Sequence, residues 1–287
     1  MGSLPVSVVV IARNASGILA RCLESIKAND PAEIVVIDGN SSDNTVEIAS
    51  RYTSRIFSDG GKGAAFARQL GAEKAMREFI AYIDADVTLK NGTLSIMLEQ
   101  LRGSTCTGVR ARQVPSTKPT NYWGLSQFEA ESLSTHKRDR LGMPACVVRK
   151  DAILKFKFDD FVFRGAEDSE IETRMIKAGC KFALSSAEVM VNYPPSLKVF
   201  WRQRYLHGGG KALILWLHGP FNPEVWPPIV AAYWVYRACL KRKFSLIPYF
   251  IVDFLAQMQG LTVYSAKLAA GKIKKLNREP AYPGSKN

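Results

Sequence analysis

Two short acidic stretches in this 287-residue chain have the residue types and spacing to do chemistry. The first is Asp84-Ala85-Asp86, at the end of the apolar run Phe79-Ile80-Ala81-Tyr82-Ile83. Side chains alternate faces along an extended strand, so Asp84 and Asp86 point the same way and Ala85 points away. Two carboxylates side by side repel one another unless a cation sits between them, and the usual guest is a divalent metal with oxygen ligands. That chemistry would serve a metal-bound, phosphate-bearing substrate. The structural alternative is that these acids cap a helix beginning near Lys90. The second stretch is Glu167-Asp168, which follows Phe163-Arg164-Gly165-Ala166 and precedes a helical run through Ile171, Met175 and Ile176 that Gly179 would stop. Acids at a helix start are accounted for by capping and the helix dipole, at roughly 0.5–2 kcal/mol. Alone, they carry no assignment.

The elements that must position these acids are legible as alternating strands and helices. Val6 to Ile11 is a β-branched run of the kind that sheets cover on both faces, and Ile18, Leu19, Cys22, Leu23 and Ile26 then recur at helical spacing. Glu33 to Asp38 is a second buried strand ending in an acid. The polar turn Gly39 to Asp43 follows, with Ser42 or Asp43 suited to cap the next helix. Arg55 to Phe57, the loop Gly60-Gly61-Lys62-Gly63 and an Ala-rich helix from Ala64 to Arg77 lead into the strand that carries Asp84. This alternation predicts an α/β fold with a parallel sheet and right-handed crossovers. Ligands bind such sheets outside the carboxyl ends of the strands, where Asp38, Asp84 and Asp86 all fall. The glycine loop lacks the GxxxxGK[ST] spacing of a P-loop. A helix starting there would still offer amides to an anion, with Lys62 and Arg68 adding charge; the alternative for Arg68 is a solvated helix residue.

Composition narrows the partner. A net charge of +13 and 23% charged residues fit a globular chain with an anionic partner: nucleic acid, a nucleotide or a membrane surface. Cysteines at 22, 106, 146, 180 and 239 lack CxxC pairing, which argues against a disulfide framework or zinc site and for a reducing compartment. Met1 to Pro5 leads into a strand without a basic flank, so no secretory signal and a cytoplasmic location are expected.

Four motifs in order resemble the nucleotide-sugar-binding half of inverting family-two glycosyltransferases with the GT-A fold: Val6 to Ile11 with Asn14, Asp38-Gly-Asn-Ser-Ser-Asp-Asn-Thr45, Gly61-Lys62-Gly63 through Arg68, and Asp84-Ala85-Asp86. The resemblance implies a Rossmann-like, mostly parallel central sheet flanked by helices. It implies nucleotide-sugar contacts at Ala12, Asn14, Asp38, Lys62, Arg68, Asp84 and Ala85, with Asp38 on the base or ribose and Asp84 near the ribose. Asp86 would bind the Mn²⁺ or Mg²⁺ that holds the diphosphate. Many members carry two consecutive acids where this chain has Asp38-Gly39. Beside those motifs, Glu167-Asp168 with Arg174 and Gly179 resembles the family's acidic pair, which makes Asp168 the candidate base and Glu167 the residue that positions it or the acceptor. The segment Phe200 to Lys211 resembles the basic, glycine-bearing stretch that closes over the donor diphosphate. It assigns Arg202, Arg204 and Lys211 to phosphate and His207 to the metal shell, against the alternative of a basic helix on a membrane surface. Asn192-Tyr193 stands where relatives often have a histidine before the proline.

The rest of the chain is read more coarsely. Leu94 to Leu101 reads as a helix, Thr105 to Arg112 as a strand and Asn121 to Lys137 as a helix with His136 on its surface. Val147 to Asp151 reads as the return to the sheet. Residues 1–195 are expected to form the GT-A domain, with 1–90 taking the donor and 91–195 the acceptor, and 196–287 a helical extension. In that extension Ile229 to Leu240 and Phe244 to Ala266 are apolar, and the second is long enough to span a bilayer. Yet Asp253, Gln257, Gly260 and Tyr264 form a polar stripe, so an interfacial or hairpin arrangement is expected. The flanking cations Arg237, Lys241, Arg242 and Lys243, then Lys267, Lys272, Lys274 and Lys275, suit an anionic inner leaflet; the alternative is a soluble helical subdomain or a dimer interface. These readings predict a glycosyltransferase that uses a UDP- or GDP-linked sugar, a metal ion and a lipid or lipid-phosphate acceptor at the cytoplasmic membrane face. A soluble enzyme with a small or polysaccharide acceptor, a sugar-phosphate nucleotidyltransferase and a nucleic-acid-binding protein are the alternatives, in that order; nucleic acid is not the expected partner.

Overall fold

The computed structural model describes residues 3–133, 141–159, 166–219 and 226–271; His136, Phe163, Arg164, Gly165, Lys272, Lys274 and Lys275 lie outside them. Eight strands form one sheet: β1 (Leu4–Ala12), β2 (Pro31–Asp38), β3 (Ile56–Ser58), β4 (Phe79–Ile83), β5 (Thr88–Leu89), β6 (Gly108–Pro115), β7 (Ala145–Arg149) and β8 (Phe182–Val191). Their order is β3-β2-β1-β4-β7-β6-β8-β5. The first four are parallel, as their crossover helices require. β7 then enters antiparallel between β4 and β6, β8 lies parallel to β6, and β5 closes the far edge antiparallel to β8.

Period-two alternation divides the core. Val8 and Val10 face one layer, built from α1 (Leu19–Lys27), α2 (Thr45–Ser50) and α4 (Thr93–Arg102). Val9 and Ile80 face the other, built from α3 (Ala64–Lys74), α6 (Lys150–Phe156) and α7 (Glu167–Lys177). Strand order reverses at β1, with β2 and β3 on one side and β4 on the other. The side chains following β1 and β4 therefore border the crevice that such a reversal opens.

Four more α-helices lie among the described residues: α5 (Tyr122–Leu133), α8 (Leu197–His218), α9 (Pro227–Leu240) and α10 (Ile247–Ala269). Leu133 and Ala130 of α5 share a buried cluster with Phe200, Ala238, Tyr249 and Phe250. Helix α5, expected with the acceptor half, thus packs with the C-terminal helices. Helices α8 and α10 meet backbone to backbone. A Cβ on Gly208 would strike the Gln257 carbonyl, one on Gly260 the Tyr205 carbonyl, and one on Gly209 would come within 2.7 Å of the Tyr264 ring. The glycines of the segment expected to close over a diphosphate therefore lie mid-helix, where they let two helices touch. Gly260→Leu is expected to cost about 1–3 kcal/mol or more through overpacking, read as a lower denaturation midpoint.

Candidate active site

The acids at 84 and 86 do not cap the following helix. Gly92 stands at the N-cap of α4 with no side-chain cap, and β5 intervenes. Instead, Asp84 and Asp86 line a cleft of about 330 Å³ with Ile11, Arg13, Asn14, Ala15, Ile18, Arg68 and Ala85. The backbone holds them there: the Asp84 amide donates to the Pro144 carbonyl (3.0 Å), and the Val87 amide turns back to the Asp84 carbonyl (3.0 Å).

Arg68 is the hub. On α3 it is only 5% exposed, far from the solvated surface residue of the alternative reading. Its Nη2 donates to Asp84 Oδ1 (2.9 Å) and its Nη1 pairs with Glu167 Oε1. Glu167, 6% exposed, also accepts the Ala166 amide through Oε2 (3.1 Å). One guanidinium thus joins the acid at the end of β4 to the acid at the start of α7, and Glu167 lies 99 residues beyond Arg68 in sequence. Burial opposes the Arg68 charge, but Asp84, Glu167 and Asp168 outweigh it and raise its pKa. Burial lifts the Asp84 carboxyl to about 6, with Asp86 and Asp168 adding and Arg68 opposing. Asp168 is raised by the same burial and next by Glu167; its Oδ1 accepts the Ser169 amide (2.7 Å). No side chain of the N-cap residue caps α7, while Glu167, Asp168 and Glu170 stand in its first turn, where the helix dipole favours carboxylates.

The neighbouring loops are laced by side chains that the sequence reading assigned differently or passed over. Asn14, in the left-handed region (φ 49°), takes the Ser42 amide on Oδ1 (2.9 Å) and gives its own amide to Ser41 (2.9 Å). Asp43 accepts from the Ser16 and Thr45 amides (both 3.1 Å) and the Thr45 hydroxyl, and these bonds hold its pKa down at about 2. It brackets two loops more than it caps a helix. Asp38 is buried; its Oδ2 accepts the Ser41 amide (3.1 Å), while its Oδ1 is buried without a partner among the described residues. Ala12 pairs with Asp38 across the sheet, and its carbonyl takes the Gly39 amide (2.8 Å). A Cβ at Gly39 would come 2.9 Å from Arg13 Cβ, a physical reason for glycine there.

Lys62 is exposed on the glycine loop, over the Phe66 ring at 4.2 Å. Buried Asp59 accepts the Gly61 and Gly63 amides (2.6 and 3.2 Å), so that loop already holds a carboxylate of its own. Its signal was the Asp-Gly-Gly turn pattern. Arg13 also went unassigned, although it follows the first strand.

The basic segment of α8 does not join this group. Arg202, Arg204, His207 and Lys211 are absent from the cleft lining, as are Ala12, Asp38, Lys62, Glu167 and Asp168, but of these Glu167 is tied to the lining through Arg68. Arg204 is committed to α10, with its Nε 3.3 Å from Asp253 Oδ1 and its Nη2 donating to the Tyr249 hydroxyl (3.3 Å). Arg202 and His207 are exposed, and Lys211 is half-buried.

The fold has solved counterparts. A mannosyltransferase from Pyrobaculum calidifontis, solved with GDP-Man and Mn²⁺, superposes with a TM-score of 0.60 at 18% identity, covering 97% of this chain and 77% of that one. In sequence, the pre-mycofactocin glycosyltransferase of Mycobacterium tuberculosis is 26% identical over 243 residues, 78% of this chain and 50% of that protein. The O-antigen chain rhamnosyltransferase WbaN of Salmonella anatum is 28% identical over 209 residues, 64% of this chain and 63% of that protein. The chain thus spans about half to under two thirds of the length of these curated relatives. The family description Glycosyl transferase family 2 matches residues 7–160, more than half of the chain and the part that carries β1 to β4, Arg68 and the acids of the cleft. On that match, the protein belongs to the family-two glycosyltransferases.

Proposed function

We propose that this protein is a metal-dependent inverting glycosyltransferase that moves a sugar from a nucleoside-diphosphate sugar to a lipid-linked or polyprenyl-phosphate acceptor at the cytoplasmic membrane face. The observation that carries the reading is the Asp84–Arg68–Glu167 bridge. It sets a donor-side acid and the Glu167-Asp168 pair beside one cleft at the carboxyl edge of the sheet. Asp38 Oδ1, buried and unpartnered, supplies an acceptor for a base N–H or ribose O–H. Arg13 and Lys62 bring positive charge for the diphosphate.

Among the described residues no three His, Cys, Asp or Glu side chains gather as a metal cage. Asp86 is exposed in the cleft while Asp84 Oδ1 is held by Arg68. That donor set fits a cation taking one or two carboxylates and completing its shell with phosphate oxygens and water. Asp86 would hold Mn²⁺ or Mg²⁺, which would neutralise charge on the departing diphosphate. The Mn²⁺ bound by the Pyrobaculum relative supports the same choice. Asp168 takes the acceptor proton as the hydroxyl attacks the anomeric carbon from the face opposite the leaving group, and Glu167, fixed by Arg68, orients it. One displacement inverts the configuration. Residues 1–90 serve the donor, 91–195 the acceptor and 196–287 the attachment to the membrane.

Thermal-shift measurement with UDP, GDP and their sugars, with and without Mn²⁺, tests this. A nucleotide at 100 times its Kd adds about 2.7 kcal/mol to folded stability. One nucleotide series is expected to raise the melting temperature, more strongly with Mn²⁺, and Asp86→Ala is expected to abolish the Mn²⁺-dependent part alone. No shift with any nucleotide would remove the donor reading.

A further inference from the structure

Helix α10 belongs to the only described segment long and apolar enough to cross a membrane, Phe244–Ala269. Its polar stripe does not face outward. Asp253 meets Arg204, Gly260 meets the Tyr205 backbone, Gln257 meets Gly208 and Tyr264 meets Gly209, all on α8. Trp201 Nε1 also donates to Gln259 Oε1 (2.8 Å). A crossing α10 would therefore take α8 with it, and α8 exposes Arg202, Gln203 and His207. Hydrocarbon accepts such side chains only at heavy cost.

On α9 and the first half of α10 the outward face is apolar and converges on one turn, whereas further along α10 Gln259, Thr262, Ser265 and Lys267 are exposed. Along α9, Ile229, Ala232, Tyr236 and Leu240 are exposed at helical spacing, while Trp234 and Ala238 turn inward to the cluster with Phe250. Phe244 follows the turn, and Ile251 and Leu255 are exposed on the first half of α10. Leu240 and Phe244, at the two ends of the turn, are each 59% exposed. Between them stand Lys241 and Arg242, both exposed; Lys243 is engaged by Glu129 (2.7 Å). Large apolar groups beside free cations match the two layers of an anionic lipid surface, acyl chains below and phosphates above. A protein partner with a dry interface would leave that charge unmatched.

We propose that the α9–α10 turn is a membrane-docking tip that lies in the plane of an anionic leaflet and inserts Leu240 and Phe244 without spanning it. The proposal rests on the membrane-face part of the function above and is independent of its donor chemistry.

Flotation or sedimentation of the full-length protein with phosphatidylcholine vesicles containing phosphatidylglycerol tests it. Wild type is expected to partition onto anionic vesicles. Leu240→Ser/Phe244→Ser is expected to weaken partition at least about tenfold. Lys241→Ser/Arg242→Ser is expected to weaken it roughly 10–30-fold on anionic vesicles and little on neutral ones. All variants should keep the wild-type melting temperature and nucleotide-induced shift, which separates a failed tip from a failed donor site. Wild type remaining in the aqueous fraction, or Ser variants binding as tightly as wild type, would overturn the proposal. So would retention in cell membranes after alkaline carbonate washing, the mark of a span. A wild-type dimer in solution that the Leu240→Ser/Phe244→Ser variant converts to monomer would assign the face to a second copy and also overturn it.

Discussion

Asp168→Asn is expected to lower kcat for transfer to a hydroxyl acceptor by roughly 10²–10⁴-fold, the span of a lost general base, while leaving nucleotide affinity unchanged. The carboxamide keeps the shape of the side chain and its bond to the Ser169 amide, but it cannot take a proton. Burial and the neighbouring Glu167 raise the Asp168 pKa, which makes it a stronger base than an ordinary carboxylate. The acid limb of kcat/KM should accordingly lie above the usual carboxylate range: as pH falls through the raised pKa the base is protonated and turnover declines. The stability effect has the opposite sense. A folded state that holds the proton more tightly than the unfolded chain loses stability as pH rises from the ordinary carboxylate pKa to the raised one. The carboxamide cannot ionise, so the variant should melt no lower than wild type at neutral pH. Near-normal turnover on a hydroxyl acceptor would end the base assignment. Near-normal turnover confined to a phosphate acceptor, already an anion that needs no base, would identify that acceptor class.

The donor half is open to sequence reasoning because its signals are local. Four strands end where β-branched runs end, and parallel crossovers force their carboxyl ends to one edge, so the residue pattern alone sends Asp38 and Asp84 there. Strand β7 is different. Nothing in Ala145–Arg149 declares an antiparallel partner, and insertion between β4 and β6 is decided by pairing with β4 across more than 60 residues of chain and with β6 across about 40. Helix α5 likewise reads as part of the acceptor half but buries Ala130 and Leu133 against the C-terminal helices, a preference that its own pattern does not encode.

The site shows the same division. Spacing marks out Asp84 and Asp86, and the family resemblance the 167–168 pair; neither gives the Arg68 bridge from Asp84 to Glu167, because Arg68 in isolation is one cation on an Ala-rich helix. Asp59 and Asp43 were legible only as turn residues; their hydrogen bonds to backbone amides become a positioning function once the loops lie side by side. In α8, the composition of a phosphate-binding stretch meets a continuous helix. Gly208 and Gly209 have the residue type of a phosphate loop, but the helix continues through them, since a close helix crossing also selects for a missing Cβ. Arg204 is likewise engaged by Asp253 of α10, with its Nε 3.3 Å from Oδ1.

Arg68→Met should produce the largest stability loss, about 3–5 kcal/mol, because removing one partner of a buried pair leaves a charge without compensation. Met keeps most of the aliphatic volume, so cavity formation contributes little and the electrostatic term dominates. Glu167, nearly fully buried, loses its ion-pair partner, and Asp84, already at about 6, loses the one group that holds its carboxyl down. The pH dependence follows from that sign. With Arg68 gone the folded state binds protons still more tightly at Asp84 and Asp168, so the deficit is greatest at neutral and alkaline pH and shrinks on acidification. Two further variants separate charge from geometry. Arg68→Lys restores the charge but not the fork that reaches two acids at once, and should recover part of the stability with less of kcat. Arg68→Met/Glu167→Gln neutralises the orphaned Glu167 but leaves Asp84 without its partner, and should regain the part of the stability lost at Glu167 while transfer stays low, because nothing then ties Asp168 to the donor edge. Denaturant midpoints at pH 5.5 and 8 with kcat on the same preparations would decide it. An Arg68→Met variant as stable as wild type at both pH values would mean that the bridge does not hold the two halves of the site together.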